Sequence, residues 1–314
     1  MLSSEPGPSP AVRRRSQKRS APCLTGALLH GRWRVGKALG RGGFGVTYRG
    51  LDVETRAPVA IKVEHPDTTR KHSHRSPLKN EMTLYAALHP CAGLPRVAWG
   101  GGLRLRGGGG AAAGGGTTTP RAARALVMEL LGPSLERARA ARPGGALAYG
   151  AVLDAGRQLL RLLRHAHRRG VVHRDVKPDN AMLGREEFRD RVYLVDFGLA
   201  KRVVPAEGGA HVPCAEGRRL TGSARYCSLA THRGYSQSYS DDLEMLAYTL
   251  IYLHQGALPW QDLPGADKCD KEARHRMIGE AKQAYAPPGN ALGWLLRCAR
   301  RLEYAQFPLS LIHI

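Results

Sequence analysis

The sequence has little of what builds a disulfide-stapled, zinc-bound or membrane-spanning protein. Its six cysteines, Cys23, Cys91, Cys214, Cys227, Cys269 and Cys298, are scattered, with no Cys-x-x-Cys pair and no histidine cluster at zinc spacing. Free thiols in a reducing compartment are therefore expected, and structural zinc is not. The longest apolar run, MLAYTLIYL, falls well short of the ~20 residues that cross a bilayer, and the opening MLSSEPGPSPAVRRRSQKRS lacks the apolar core of a signal peptide. No membrane association is expected, and the cytosol or nucleus is the expected location. Aromatics are only 6% of residues and are not interleaved with the basic ones as base stacking requires. Acidic residues are also scarce, 26 against 48 Lys and Arg, for a formal charge of +22. Such a charge attracts polyanions. Arginine far outnumbers lysine in a chain also crowded with Gly, Ala and Pro, so compositional bias supplies much of the charge. An acidic or phosphorylated protein partner fits better than nucleic acid, which is left with weak binding through the basic tail.

The length of 314 residues and 42% hydrophobic content suffice for one large domain or two lobes sharing a cleft. Residues 1–30, rich in Ser, Pro and Arg without periodicity, read as a disordered tail. Within it RRRSQKR at 13–19 fits a nuclear localisation signal or a plain basic tail equally well. From Trp33 the pattern changes: RWRVGKALG and FGVTYRGLDV read as strands around a glycine turn, and PVAIKVE as a further alternating strand. Ser76-Pro77 supplies an N-cap and a first-turn proline for a helix with Leu78, Glu81, Tyr85 and Leu88 on one face. The glycine-rich stretch at about 101–120 reads as a surface insertion between two strands. ALVMELLGPSL reads as a strand that leaves through Gly132-Pro133. AVLDAGRQLLRLLRHAHRRG then carries Val152, Leu159, Leu160, Leu163 and Ala166 at helical spacing. Strands and one helix followed mostly by helices predict an α+β, bilobal fold: a small β-rich lobe over about 31–128, a link at 129–132 and a larger helical lobe over 133–308.

GRGGFG at 40–45 fits G-x-G-x-x-G, a loose pattern in a chain with 38 glycines. It sits between two strands, which excludes the strand-to-helix dinucleotide fingerprint. A glycine hairpin can instead fold over phosphates, its N–H groups approaching without Cβ hindrance. In PVAIKVE, Val59, Ile61 and Val63 share one face and Ala60, Lys62 and Glu64 the other. Glu81 falls on the apolar face of its helix, where an unpaired carboxylate is costly, so it needs a cationic partner, and Lys62 is the natural one. Asp175, Lys177 and Asn180 occupy H-R-D-x-K-x-x-N, and Asp196 ends an apolar strand in VYLVDFG. In-line phosphoryl transfer needs an acceptor for the attacking hydroxyl's proton, a cation near the phosphate and oxygen ligands for Mg2+. These residue types supply all three.

Together the glycine loop, VAIK, the helix glutamate, HRDVKPDN and DFG resemble the protein kinases. ELLGPSLE at 129–136, VDFGLAK, LTGSARYCS at 220–228, THRGYSQSYSDDLEMLAYTLIYL and LPWQ at 258–261 narrow the resemblance to the casein kinase 1 family of Ser/Thr kinases, over roughly residues 31–308. The resemblance implies an ATP- and Mg2+-dependent enzyme acting on acidic or already phosphorylated proteins, and a monomer is expected. It implies that Asp175 accepts the substrate proton, that Lys177 stabilises the transferred group, and that Asn180 and Asp196 hold magnesium. Lys62, fixed by Glu81, would contact the α/β-phosphates, which Gly40, Gly42 and Gly45 would cover, with Arg41, Gly43, Phe44 and Val46 of the same loop also at the cofactor. Ala60 and Met182 would sandwich adenine, with Met128 behind it and Glu129 to Leu131 as the hinge. Ser223 would contact Asp175 and Lys177. Asp242 would cap a buried helix and brace the catalytic loop. Arg225 and Lys268 match an anion pocket for the substrate.

Thr47 stands where valine or isoleucine usually covers adenine, and its β-branched shape should still do so. Ser-Leu-Ala at 228–230 replaces the family's Ser-Ile-Asn, which removes an expected anchor of the activation segment. The chain ends at LSLIHI without the expected final helix, so residues 309–314 read as a truncation or assembly scar. The alternative function is therefore a catalytically impaired kinase fragment, or a scaffold that binds acidic partners.

Overall fold

In PVAIKVE the two faces of one strand are buried against different layers, and that alternation organises the first half of the molecule. A computed structural model describes residues 24–42, 45–64, 76–105 and 121–308. Six strands, β1 (Leu28–Leu29), β2 (Trp33–Arg41), β3 (Gly45–Asp52), β4 (Pro58–Glu64), β5 (Val97–Leu105) and β6 (Arg121–Glu129), form one antiparallel sheet in the order β1-β2-β3-β4-β6-β5. Val59, Ile61 and Val63 join Val35, Val46, Tyr48 and Val127 in a core on the outer face of this sheet. On the inner face, Ala60 and Met128 belong to a larger core that continues into the second lobe. Helix α1 (Pro77–Leu88) closes that side. The Ser76 hydroxyl caps it, accepting from Lys79 N–H at 3.1 Å, and Leu78, Glu81, Leu84, Tyr85 and Leu88 are buried as one stripe.

Two boundaries differ from the expectation. The chain joins the sheet before residue 30: Leu24 and Ala27 pack on the outer core, β1 pairs with β2, and Gly26 N–H donates to Val35 O at 2.7 Å. The apolar residues of this segment find an open strand edge, so the expected tail is shorter than 1–30. The glycine-rich insertion also begins later than 101, because Gly101 to Leu105 extend β5 and pair with β6 as far as Leu105 and Arg121. Ladder hydrogen bonds do not depend on side chains, and glycines here leave space that Met82 and Trp99 occupy. Residues 106–120, the basic run at 13–19 and residues 309–314 lie outside the described residues.

The second lobe is built of α2 (Leu135–Ala140), α3 (Tyr149–His167), α4 (Leu229–His232), α5 (Tyr239–Gln255), α6 (Lys271–Ala284) and α7 (Ala291–Arg301). It also holds two short antiparallel strand pairs, β7 (Val171–Val172) with β10 (Lys201–Arg202) and β8 (Ala181–Leu183) with β9 (Val192–Leu194). The lobes together make the expected α+β, bilobal architecture. MLAYTLIYL is the buried centre of α5, packed on all sides by protein. Among the described residues no helix is long and apolar enough to cross a membrane. In α3 the buried positions are Val152, Ala155, Gly156, Leu159, Leu162, Leu163, Ala166 and His167, with Leu160 only half-buried. The carboxylate that caps α5 is Asp241 rather than Asp242: at the third helical position it reaches back to Ser238 N–H at 2.6 Å in a capping box. Asp242, one residue on, reaches across to the backbone N–H groups of His173 and Arg174 instead.

Candidate active site

The residues of HRDVKPDN converge because α5 holds their backbone. Asp242 is completely buried, and its Oδ2 accepts from His173 N–H at 2.7 Å and from His167 Nε2 at 2.9 Å while Oδ1 accepts from Arg174 N–H at 2.8 Å. Burial works to raise this carboxyl, but the hydrogen bonds and charge of His167 and His173 hold it below its ordinary value. The grip fixes Arg174 in a left-handed conformation, φ 68°, which a non-glycine residue adopts only when its surroundings impose it. The chain then turns so that Asp175 meets its partners. Asp175 Oδ2 accepts from Lys177 Nζ at 2.6 Å and Asn180 Nδ2 at 3.2 Å, and Oδ1 accepts from the Ser223 N–H and hydroxyl, both at 2.9 Å. Lys177 Nζ also donates to Ser223 Oγ at 3.2 Å. Gly222 makes this approach possible: its φ is +90°, and a Cβ there would lie 2.4 Å from Arg174 O.

A second constellation lies beside the first, tied to it by Val195, which donates to Asn180 O at 2.9 Å and accepts from His173 Nε2 at 3.0 Å. Lys62 Nζ donates to Glu81 Oε2 and to Asp196 Oδ1, each at 2.7 Å. Burial opposes the Lys62 charge, yet the two carboxylates outweigh it and raise its pKa. Burial pushes Glu81 up to about 7, with Lys62 opposing. Burial would raise Asp196 too, but attraction to Lys62 keeps it below its ordinary value. Asp196 is left-handed as well, φ 68°, and its N–H donates to the Tyr85 hydroxyl at 3.3 Å. Phe197 then inserts between Tyr85 and His173, edge-on to both rings at 5.3 and 4.8 Å. Asn80 Nδ2 donates to Ala200 O at 2.9 Å, locking α1 to the segment after Asp-Phe-Gly. Tyr85, Asn80, Phe197 and His173 were not singled out for these roles from sequence, although Tyr85 stood on the buried helix face.

The strands on either side of the glycine turn pair with each other. Gly42 N–H donates to Gly45 O at 2.9 Å, and Gly40 pairs with Thr47. A Cβ at Gly45 would lie 2.1 Å from Val63 O, so only glycine lets β3 approach β4 there; around Gly40 and Gly42 the space is open. Arg41 is the exposed last residue of β2, and Gly43 and Phe44 lie outside the described residues. Val46 is a correction. It pairs with Val63 and is buried in the outer core, so strand alternation turns its side chain away from the cleft. Thr47, the partner of Lys62, occupies the cleft face. Ala60 pairs with Met128, both nearly buried on the inner face. Met182 bridges to Ser134, and Gly132 N–H donates to Leu183 O at 2.8 Å, which brings β8 against the end of the interlobe link. Glu129 N–H donates to Arg96 O, and its Oε1 accepts from Arg96 N–H at 3.0 Å. The N–H and C=O of Leu131 make no hydrogen bond with a described residue, leaving a donor and an acceptor for a ligand edge.

Arg225 is exposed beside the rings of Tyr226 and Tyr252, at 5.9 and 5.7 Å, and Lys268 is exposed in a turn closed by Gly265 O. Ala230 in place of an asparagine does not leave the activation segment loose. Ser228 is fully buried, its hydroxyl donating to Asp241, and Gln237 Nε2 donates to Thr231 Oγ1 at 2.8 Å and to Thr221 O at 3.2 Å.

The protein kinase domain family model matches residues 114–291, more than half of the chain. The chain belongs to the protein kinase family. The match takes in Asp175, Asn180 and Asp196 but begins after Lys62 and Glu81, so the first-lobe half of the site rests on the geometry above. Such a kinase domain uses ATP, generally with Mg2+, and acts on protein. The residues present fit that pair of ligands. Asn180 Oδ1 and Asp196 Oδ2 accept no hydrogen bond from a described residue and are hard oxygen donors of the kind Mg2+ takes. Among the described residues no group of three or more His, Cys, Asp or Glu could hold a metal alone.

Proposed function

We propose that this kinase is a Ser/Thr protein kinase of casein kinase 1 type, which transfers the γ-phosphoryl group of Mg-ATP to Ser or Thr hydroxyls in acidic or already phosphorylated proteins. The observation that carries the reading is the single ammonium of Lys62 shared by Glu81 and Asp196 beside an Asp175 carboxylate held by Lys177, Asn180 and Ser223. Asp175 orients the substrate hydroxyl and receives its proton. Lys177 offsets charge on the group in transit, a role its contacts with Asp175 and Ser223 support, and positioning with charge stabilisation supplies most of the rate. Asn180 and Asp196 would hold the metal, which when bound would neutralise the phosphate oxygens. Lys62 keeps the phosphates in register, and Leu131 presents its backbone donor and acceptor to the adenine edge. The narrower assignment is supported by ELLGPSLE, LTGSARYCS and LPWQ. The exposed cations Arg225 and Lys268 support the acidic preference.

The test is phosphorylation of casein or an acidic serine peptide by the purified chain, with phosphoamino acid analysis. Phosphoserine or phosphothreonine is expected, with Asp196→Asn inactive. Phosphotyrosine alone would overturn the Ser/Thr reading, and full activity in Asp196→Asn would overturn the assignment of the site. Indifference to acidic residues near the target serine would remove the substrate preference.

A further inference from the structure

Lys282 of α6 is 0% exposed, yet no carboxylate lies within ion-pair distance of its ammonium among the described residues. Glu244, the acid that acts on it through charge, is taken by Arg300 at 3.3 Å and by the Tyr248 hydroxyl at 2.7 Å. Burying an ammonium is costly unless its donors are all used. Here they are: Nζ donates to three N or O acceptors, Ala224 O at 2.8 Å, Cys227 O at 2.6 Å and His232 Nε2 at 3.2 Å, and also lies 3.9 Å from Cys227 Sγ. The faces of Tyr248 and Trp260 lie 5.0 and 5.4 Å away. Two of the three acceptors are carbonyls of the turn that begins at Ser223. Tyr226 and Cys227 N–H both donate to Ser223 O at 2.9 Å, and Trp260 Nε1 takes Arg225 O at 2.7 Å. The carbonyls of Ala224, Arg225 and Cys227 are thus held from inside. Arg225 is left facing outward, and Ser223 is set against Asp175.

We infer that Lys282 is a positioning residue for the protein substrate: its hold on the Ala224 and Cys227 carbonyls fixes the surface along which the chain flanking the target hydroxyl lies. This rests on the reading of Asp175 as the group that receives that hydroxyl. The hold depends on charge. Burial depresses the Lys282 pKa to about 8, with Cys227 and Glu244 opposing and Arg300 assisting. Of the other groups that face it, His232 is pushed down to about 3 by burial and Lys282, Cys227 up to about 11 by burial, and Tyr248 higher still by burial. Burial lowers Arg300, but Tyr248 and Glu244 outweigh it and keep that guanidinium charged; His275, further along α6, is shifted downward by burial. Lys282 is therefore the group that changes charge near pH 8. Once deprotonated it keeps two N–H bonds but loses the charge that strengthens them, so its hold on the two carbonyls weakens.

Steady-state kinetics with an acidic serine peptide, together with hydrogen exchange at residues 224–228, test the inference. In the unaltered chain the peptide KM should rise several-fold as pH passes upward through about 8 while the KM for ATP stays level. Lys282→Met should raise the peptide KM by about tenfold at neutral pH, since small misplacements of a reacting chain are expensive, lose the alkaline rise and speed exchange at 224–228. An unchanged peptide KM in Lys282→Met, or a parallel loss in kcat and in ATP affinity, would overturn it. Should that variant not fold, a flat peptide KM across pH 8 in the unaltered chain overturns it equally. A chain that phosphorylates nothing would sink the function proposed above, and exchange at 224–228 would then decide the brace alone, equal protection in both proteins ruling it out.

Discussion

Lys62 and Asp196, separated by 134 positions, meet at 2.7 Å across the two lobes. Glu81 holds the same ammonium at the same distance from α1, so the strand, the helix and the Asp-Phe-Gly turn share one charge. Asp196→Asn keeps the shape and removes a charge that both Lys62 and a metal would use. Phosphotransfer should fall by at least ~10²–10³ in kcat, the scale of losing one preorganised electrostatic group. The melting temperature without ligand should change little, and its rise with Mg-ATP should shrink. Peptide phosphorylation rates and a thermal shift measure the two effects separately.

Asp242 should matter for stability more than any residue that touches substrate. It is wholly buried and is the acceptor for two backbone N–H groups and His167. Asp242→Ala strands those donors in the interior, and breaking a buried charged network in this way costs about 3–5 kcal/mol. Urea unfolding followed by circular dichroism reads that loss. A variant that unfolds at the same urea concentration as the parent would show that water or relaxation replaces the carboxylate.

What was legible in the sequence depended on side-chain periodicity. Alternation in PVAIKVE put Ala60, Lys62 and Glu64 on one face, and the helical stripe through Leu78, Glu81 and Tyr85 put a carboxylate where it needed a cation; the pairing followed from burial cost. Val46 was misplaced because membership in a motif counts positions without regard to faces, whereas its pairing with Val63 decides where the side chain goes. Of the adjacent acids Asp241 and Asp242, nothing local says which one reaches back to Ser238. Lys282 left no signal: its partners are carbonyl oxygens, which every residue carries. The strand through Gly100 to Leu105 was hidden for the same reason, since ladder hydrogen bonds have no side-chain signature.

Glu81 should make activity and stability move in opposite directions with pH. Burial lifts it from an ordinary 4.5 to about 7, so between those values the folded protein keeps a proton that the unfolded chain has released. Its stabilising contribution is therefore complete below about pH 4.5 and is lost as pH rises through about 7. Asp241, pushed by burial to about 7 as well, adds to the same trend. Activity runs the other way, because only ionised Glu81 holds Lys62 as an ion pair, and kcat/KM for ATP should fall as pH drops below about 7. Glu81→Gln should flatten that acid limb at a lower overall rate, and should remove only part of the pH dependence of the melting temperature. An acid limb of unchanged midpoint in the variant would assign it to another group.

Val46 and Thr47 offer the sharpest check of which face of β3 meets the nucleotide. Val46→Thr keeps the shape but places a hydroxyl in the outer core, where Val46 is 1% exposed; without a partner it costs about 1–3 kcal/mol of stability. ATP affinity should hardly change, because the whole sheet lies between that position and Lys62. Thr47→Val adds apolar surface on the cleft side at a half-buried position, worth at most ~1 kcal/mol of binding, or up to about fivefold in Kd, with little effect on unfolding. Nucleotide titrations and urea melts on the two variants should give opposite patterns. If Val46→Thr weakens ATP and Thr47→Val does not strengthen it, the strand register between Thr47 and Lys62 is wrong, and with it the assignment of the cleft wall.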